Sequence, residues 1–148
     1  MLGDGDEAIL MDLGSVTSAR IEISTRQQAL VVEEEAAQKT SAPYRAPELT
    51  STTYPCTVDE RVDVWGLGCT LFCLAFGRSP FETAREGVLK LAILNGRYSV
   101  PAGLRMRDQH FSTSFVGIIK SMLDVDASKR PFASEVYALC ANLLASSQ

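Results

Sequence analysis

Along residues 58–76 the apolar positions fall on every side of a helical wheel: Val58, Val62, Val64, Trp65, Leu67, Leu71, Phe72, Leu74 and Phe76, with Gly77 in the stop position. A helix apolar all round is a buried one, so this segment is expected to run through the centre of the domain. Gly66 and Gly68 each weaken it by about 1 kcal/mol relative to alanine, which predicts that another backbone comes close at that point. A second helix is expected over 83–95, with Thr83 and Glu86 spaced as a capping box, Gly96 as the stop and a polar face left in solvent. Residues 114–123 and 132–144 predict two more helices, the latter preceded by Pro131, before a frayed tail of Ser146, Ser147 and Gln148.

The first third of the chain reads differently. Gly3-Asp4-Gly5-Asp6 is a turn cluster, and the apolar run Ala8-Ile9-Leu10-Met11 ending at Asp12 predicts the second strand of a hairpin. Residues 12–48 then mix Ser, Thr, Gln and Glu without sustained periodicity, except over 31–38, where helix formers predict one short helix. A surface segment this long is unusual in a compact domain unless it is functional, which makes it a candidate regulatory segment.

Composition narrows the function classes. With 148 residues, one domain is expected, and 46% hydrophobic against 22% charged residues gives the means to build a core rather than a disordered chain. A net charge of -4 supplies no basic excess for phosphate-backbone binding, so nucleic acid is not expected as a partner. Cys56, Cys69, Cys73 and Cys140 show neither C-x-x-C pairs nor histidine spacing suited to zinc, and read as reduced, largely buried thiols; the sole histidine, His110, reads as a loop residue. No run reaches the roughly 20 apolar residues of a membrane-spanning helix, and Met1 to Asp6 lack the basic and apolar regions of a signal peptide. An intracellular, cytoplasmic protein without a transmembrane segment is expected.

Three punctuated motifs carry the chemistry. Ala42-Pro43-Tyr44-Arg45-Ala46-Pro47-Glu48 is followed by Asp63-Val64-Trp65-Gly66-Leu67-Gly68 and then by Lys129-Arg130-Pro131, with Asp12-Leu13-Gly14 upstream. In that order they resemble the lower lobe of a eukaryotic-type protein kinase. Arg26-Gln27-Gln28-Ala29-Leu30, Ala36-Ala37-Gln38, Asp59-Glu60-Arg61 and Asn95-Gly96-Arg97-Tyr98-Ser99-Val100-Pro101 extend the match. They resemble the Numb-associated kinase family, and within it the Golgi-associated, N-terminally acylated serine/threonine branch. The fold implied is mainly α: the helical C-terminal lobe of the kinase fold with a short N-terminal β-hairpin remnant. Residues 1–11 would be the strand remnant, 12–48 the activation segment and 49–148 the helical lobe.

The resemblance also implies roles. Asp12 would hold Mg²⁺ against the ATP phosphates, and Ser41 and Tyr44 would face the protein substrate. Glu48 would form a buried ion pair with Arg130, Asp63 would bond backbone amides of the catalytic loop, and Trp65 would pack beneath the substrate segment. Protein substrates or docking partners would meet the activation segment and the 83–95 helix. The sequence holds no glycine-rich loop, no ATP-binding lysine and no H-R-D-x-x-x-x-N loop, so ATP and Mg²⁺ are expected for a full-length parent and not as tight ligands of these 148 residues. The expectation is a shortened, inactive kinase portion. Met1-Leu2-Gly3 is no myristoylation signal, so Golgi or membrane association would belong to the parent alone. The alternatives are a non-catalytic, kinase-like binding module and an unrelated small helical protein.

Overall fold

The computed structural model describes residues 7–101 and 112–146. The turn cluster at Gly3 to Asp6, His110 and the last two residues of the expected tail lie outside them. In chain order the elements are β1 (Ile21–Ile23), α1 (Arg26–Lys39), α2 (Pro47–Thr50), β2 (Cys56–Val58), α3 (Arg61–Phe76), β3 (Glu82–Thr83), β4 (Gly87–Val88), α4 (Lys90–Asn95), α5 (Thr113–Met122) and α6 (Ala133–Ala145). Single 3-10 turns at Leu13–Ser15 and Ala42–Tyr44 flank the first part. The fold is mainly α, as the sequence predicts. No helix among the described residues is long and apolar enough to cross a membrane.

Helix α1 is longer than the helix formers at 31–38 predict because its start is fixed by a capping box. The Thr25 hydroxyl accepts from the Gln28 amide, and the Gln28 side chain accepts from the Thr25 amide at 3.1 Å. β1 pairs antiparallel with β2, joining Ile21 to Val58 and Ile23 to Cys56, and Ile23, Ala29 and Val58 close a small apolar cluster under α1.

Helix α3 is the hub. Val64, Trp65, Gly68, Cys69, Phe72 and Ala75 are buried at helical spacing, and Gly77 ends the helix in the left-handed conformation at φ 67°. Ala46, Trp65, Cys69, Phe72, Phe81, Ile93 and Leu123 share the main core, where the Trp65 and Phe81 rings stack with centroids 5.2 Å apart. The expectation for this helix fails in its start, since Val58 lies in β2 and the helix begins at Arg61, and in burial on every side. Leu67 and Leu74 are 45% and 63% exposed, because α5 and the turn at Ala42–Tyr44 cover one flank and no described element covers these two side chains.

Of the two glycines, only Gly68 is a close approach. A Cβ there would stand 2.9 Å from the Met122 Cβ, whereas one at Gly66 would meet nothing nearer than the Tyr44 carbonyl oxygen at 3.6 Å. Gly68→Ala is therefore expected to lower stability by about 1–3 kcal/mol through overpacking against α5. Gly66→Ala is expected to be neutral or to gain up to about 1 kcal/mol of helix propensity. Urea denaturation of the two variants side by side reads the difference, and equal midpoints would contradict it.

Two further expectations are corrected. Residues 83–95 are not one helix: β3 and β4 form a tight hairpin, and α4 covers only its last six residues. The Thr83 hydroxyl does accept from the Glu86 amide at 3.1 Å, as a capping residue would, but Gly87 then takes φ 66° and the chain turns back. The strand expected at 8–11 is reduced to a single bridge residue at Ala8, with Leu10 87% exposed and no described neighbour able to bury the run.

Candidate functional site: the Ser41 to Glu48 segment and its brace

Asp12 sits in the left-handed region at φ 59°, which a short carboxylate tolerates, and its Oδ1 accepts weakly from the Gly14 amide at 3.4 Å. The carboxylate is exposed. It offers one hard oxygen of the kind Mg²⁺ takes, but among the described residues no three His, Cys, Asp or Glu side chains gather as a metal site.

The segment Ser41 to Glu48 turns sharply because Pro43 enters a 3-10 turn and Pro47 opens α2, each proline placed where a missing amide hydrogen does no harm. The turn lies over α3. Ser41, Tyr44 and Asp63 line one groove of 460 Å³, together with Ser15 and Thr17 from the stretch after Asp12. Three of the sequence-predicted site residues thus meet at one place, and Asp12 stands outside it. No described donor meets the Asp63 carboxylate. The Tyr44 hydroxyl lies 3.6 Å from the Cys73 Sγ, and this contact, with burial, raises the phenol above its ordinary pKa. One helical turn deeper, burial pushes the Cys69 thiol up to about 12. All four cysteines are unpaired thiols.

The segment is anchored from behind by Arg130. Its guanidinium gives 2.8 and 3.1 Å bonds to the two oxygens of Glu48, one of 2.7 Å to the Arg61 carbonyl, and two, at 3.2 and 3.1 Å, to the Asp124 carbonyl. All five N–H groups are used. The side chain is wholly buried, and its guanidinium carbon lies 5.1 Å from the centre of the Trp65 ring. Glu48 and Arg130 are thereby brought together, with Trp65 packed against the Arg130 guanidinium and sharing the main core with Ala46 of the segment.

A second pair holds the backbone carbonyl that Arg130 needs. Asp59 accepts from Arg61 at 2.6 Å, and this bond, outweighing burial, holds the Asp59 carboxyl below the usual range. That contribution is complete at neutral pH and is lost as pH falls through the lowered folded-state pKa. Asp59 and Arg61 were legible in the sequence only as part of a matching tripeptide. Arg45, whose Nε donates to the Thr40 hydroxyl at 2.8 Å, was legible only as a member of the Ala42 to Glu48 motif, and Glu33, whose Oε1 accepts from the Thr52 amide at 2.7 Å, only as a helix former.

Known proteins match this chain in sequence. The protein kinase domain profile matches residues 4–139. The chain is 38% identical over 133 residues to human serine/threonine-protein kinase 16, an alignment covering 88% of this chain and 42% of that protein. A probable serine/threonine-protein kinase of Dictyostelium discoideum is 39% identical over 131 residues, covering 86% and 35% of the two chains. The serine/threonine-protein kinase ENV7 of Saccharomyces cerevisiae is 35% identical over 138 residues, covering 91% and 36%. The chain spans less than half the length of these relatives. A matched domain that runs from before Asp12 to beyond Arg130, on a helical lobe in which Arg130 anchors the Ala-Pro-Glu turn, places this chain in the protein kinase family.

Proposed function

We propose that these residues are the activation segment and helical lobe of a serine/threonine protein kinase of the Numb-associated family, in its Golgi-associated branch. The whole-protein reaction is transfer of the ATP γ-phosphoryl group to a protein hydroxyl. The observation that carries this reading is the five-bonded Arg130, which seats Glu48 and with it the turn from Ser41 onward. Such a brace has a use if the turn must present a fixed surface to a substrate. Ser41 and Tyr44 would then form the substrate-facing wall, and the unpartnered Asp63 carboxylate in the same groove would receive backbone amides of a catalytic loop supplied by the rest of the kinase. ATP and Mg²⁺ serve kinases generally, and Asp12 would add one oxygen ligand to a site completed elsewhere.

Kinase catalysis rests on positioning and electrostatic stabilisation by a lysine, metal ions and the catalytic-loop Asp and Asn. None of those protein groups is in this sequence apart from Asp12, so residues 1–148 alone are expected to transfer no phosphate. Supplying the first half of a family kinase, ended at its H-R-D-x-x-x-x-N loop, is expected to give Mg²⁺-dependent phosphorylation of protein serine or threonine that Asp12→Ala abolishes. Labelled phosphate transfer measures both. A folded chimera that binds ATP and transfers nothing would overturn the catalytic reading. It would favour a non-catalytic binding module, for which the exposed apolar pair Val88 and Leu91 at the hairpin and α4 would be the docking surface.

A further inference from the structure

Helix α1 lies beside the substrate-side turn with little apolar grip. Its fully buried side chains are two alanines, Ala29 and Ala36, and Val32 packs half-buried against the Ile23 and Val58 cluster, while Leu30 and Val31 on the outer side are half exposed. Two methyl groups and one half-buried valine remove little surface from water, so polar contacts weigh heavily in where this helix sits. They come in two sets, one toward each end of the turn and α2. At the helix's last turn, Arg45 donates from Nε to the Thr40 hydroxyl at 2.8 Å and from Nη2 to the Thr40 carbonyl at 2.9 Å, with a longer bond to the Ala37 carbonyl. The Thr40 hydroxyl donates onward to the Ala36 carbonyl at 2.6 Å. In the middle of the helix, Glu33 takes the Thr52 amide at 2.7 Å, and the Thr52 hydroxyl donates to the Glu48 carbonyl at 2.7 Å.

Arg45 belongs to the turn that α1 precedes, and its neighbour Ala46 is buried in the main core. Thr52 lies just past α2, and Glu48, whose carbonyl it holds, is the partner of Arg130. Thr52 is itself buried, so its amide has no water to fall back on if Glu33 lets go. The helix is thus tied to the segment before α2 and to the segment after it, with the substrate-side turn between the ties.

We propose that α1 is a splint across the substrate-side turn, and that Glu33 and Arg45 are positioning residues that set the posture of that turn, Glu33 from outside the groove and Arg45 from its lining. This rests on the reading of that turn as substrate-facing, and it adds that the turn's geometry is governed by the helix that precedes it. Neither residue is a catalytic residue. Each acts through the backbone it holds.

Amide hydrogen exchange on the chain, read residue by residue without nucleotide or substrate, tests the splint independently of whether the chain belongs to an active kinase. Glu33→Ala is expected to speed exchange of the Thr52 amide about tenfold or more, and that of the Tyr44 and Arg45 amides, which close the 3-10 turn onto Ser41 and Ala42, by about threefold or more. Glu33→Gln retains the side-chain acceptor and is expected to hold all three near their original rates. Glu34→Ala, on the same helix without a partner in the segment, is expected to change none of them. Arg45→Met is expected to release the Thr40 amide and, through the splint, the Thr52 amide. Acceleration at Thr52 with Tyr44 and Arg45 unchanged would overturn the proposal. So would equal acceleration of the α3 amides, which marks general unfolding, or failure of Glu33→Gln to protect. Failure of the phosphotransfer assay would leave these rates unaffected and would count against the kinase reading only.

Discussion

Replacing Arg130 by alanine is expected to lower the unfolding free energy by about 3–5 kcal/mol, the range for breaking one side of a buried ion pair. The loss is not a single contact. It leaves the Glu48 carboxylate and the carbonyls of Arg61 and Asp124 without the Arg130 donors in a largely buried region. Glu48→Ala removes only two of the five bonds, and its carboxylate is 18% exposed, so its effect is expected at the lower end of the same range. The double variant should lose less than the sum, because each single change already strands the other partner. Lysine at position 130 is expected to rescue little, since a compact ammonium cannot fork between two carboxylate oxygens and two carbonyls. Urea denaturation with a double-mutant cycle measures all of this, and additive losses would mean that the pair contributes nothing as a pair.

Trp65→Ala is expected to cost about 3–5 kcal/mol for a different reason, the volume it removes from a closed core. The ring is fully buried, stacked on Phe81 and faced by the Arg130 guanidinium, so its loss opens a cavity that both neighbours border. Its indole Nε1 is buried and donates to no described group. Trp65→Phe therefore forfeits no hydrogen bond and is expected to retain more than half of the stability that alanine loses. A phenylalanine variant as unstable as the alanine one would show that the indole nitrogen, rather than the packing, holds the site. Because Arg130 lies over this ring, the two alanine changes should also be non-additive with each other.

What could be read from the sequence depended on whether a local rule had only one solution. The residues of α3 admit no state but a central helix, since nothing else buries Val64, Trp65, Cys69 and Phe72 at once, and the fold class followed from that. Leu67 and Leu74 broke the pattern because apolar identity says that a side chain gains from cover and not that cover is present. Thr83 with Glu86 had two solutions. A hydroxyl accepting from the amide three residues on opens a helix or a turn equally well, and Gly87 at positive φ selected the turn. The β1 and β2 strands are three residues each, too short for alternation to register, and their pairing is decided by distant partners. In the candidate site, Glu48 and Arg130 were legible through motifs with fixed relative order. The role of Glu33 was not, because a charged residue on a helix of mixed polarity is usually a solvated one, and the motif that contains Arg45 says nothing of its bonds back to Thr40. The capping box of Thr25 and Gln28 was the one overlooked local signal, and it would have set the start of α1.

The Glu48 to Arg130 bond also imposes an order in time. The two residues are 82 positions apart, and a ribosome adds them in one direction only. While the turn at Ser41 to Glu48 is leaving the ribosome, the arginine that seats it has not been made. α1 can form at once from its own capping box, and α3 can collapse as soon as its apolar residues emerge, but the turn between them waits for the strand-free stretch before α6. The turn is thus synthesised well before the residue that gives it its shape.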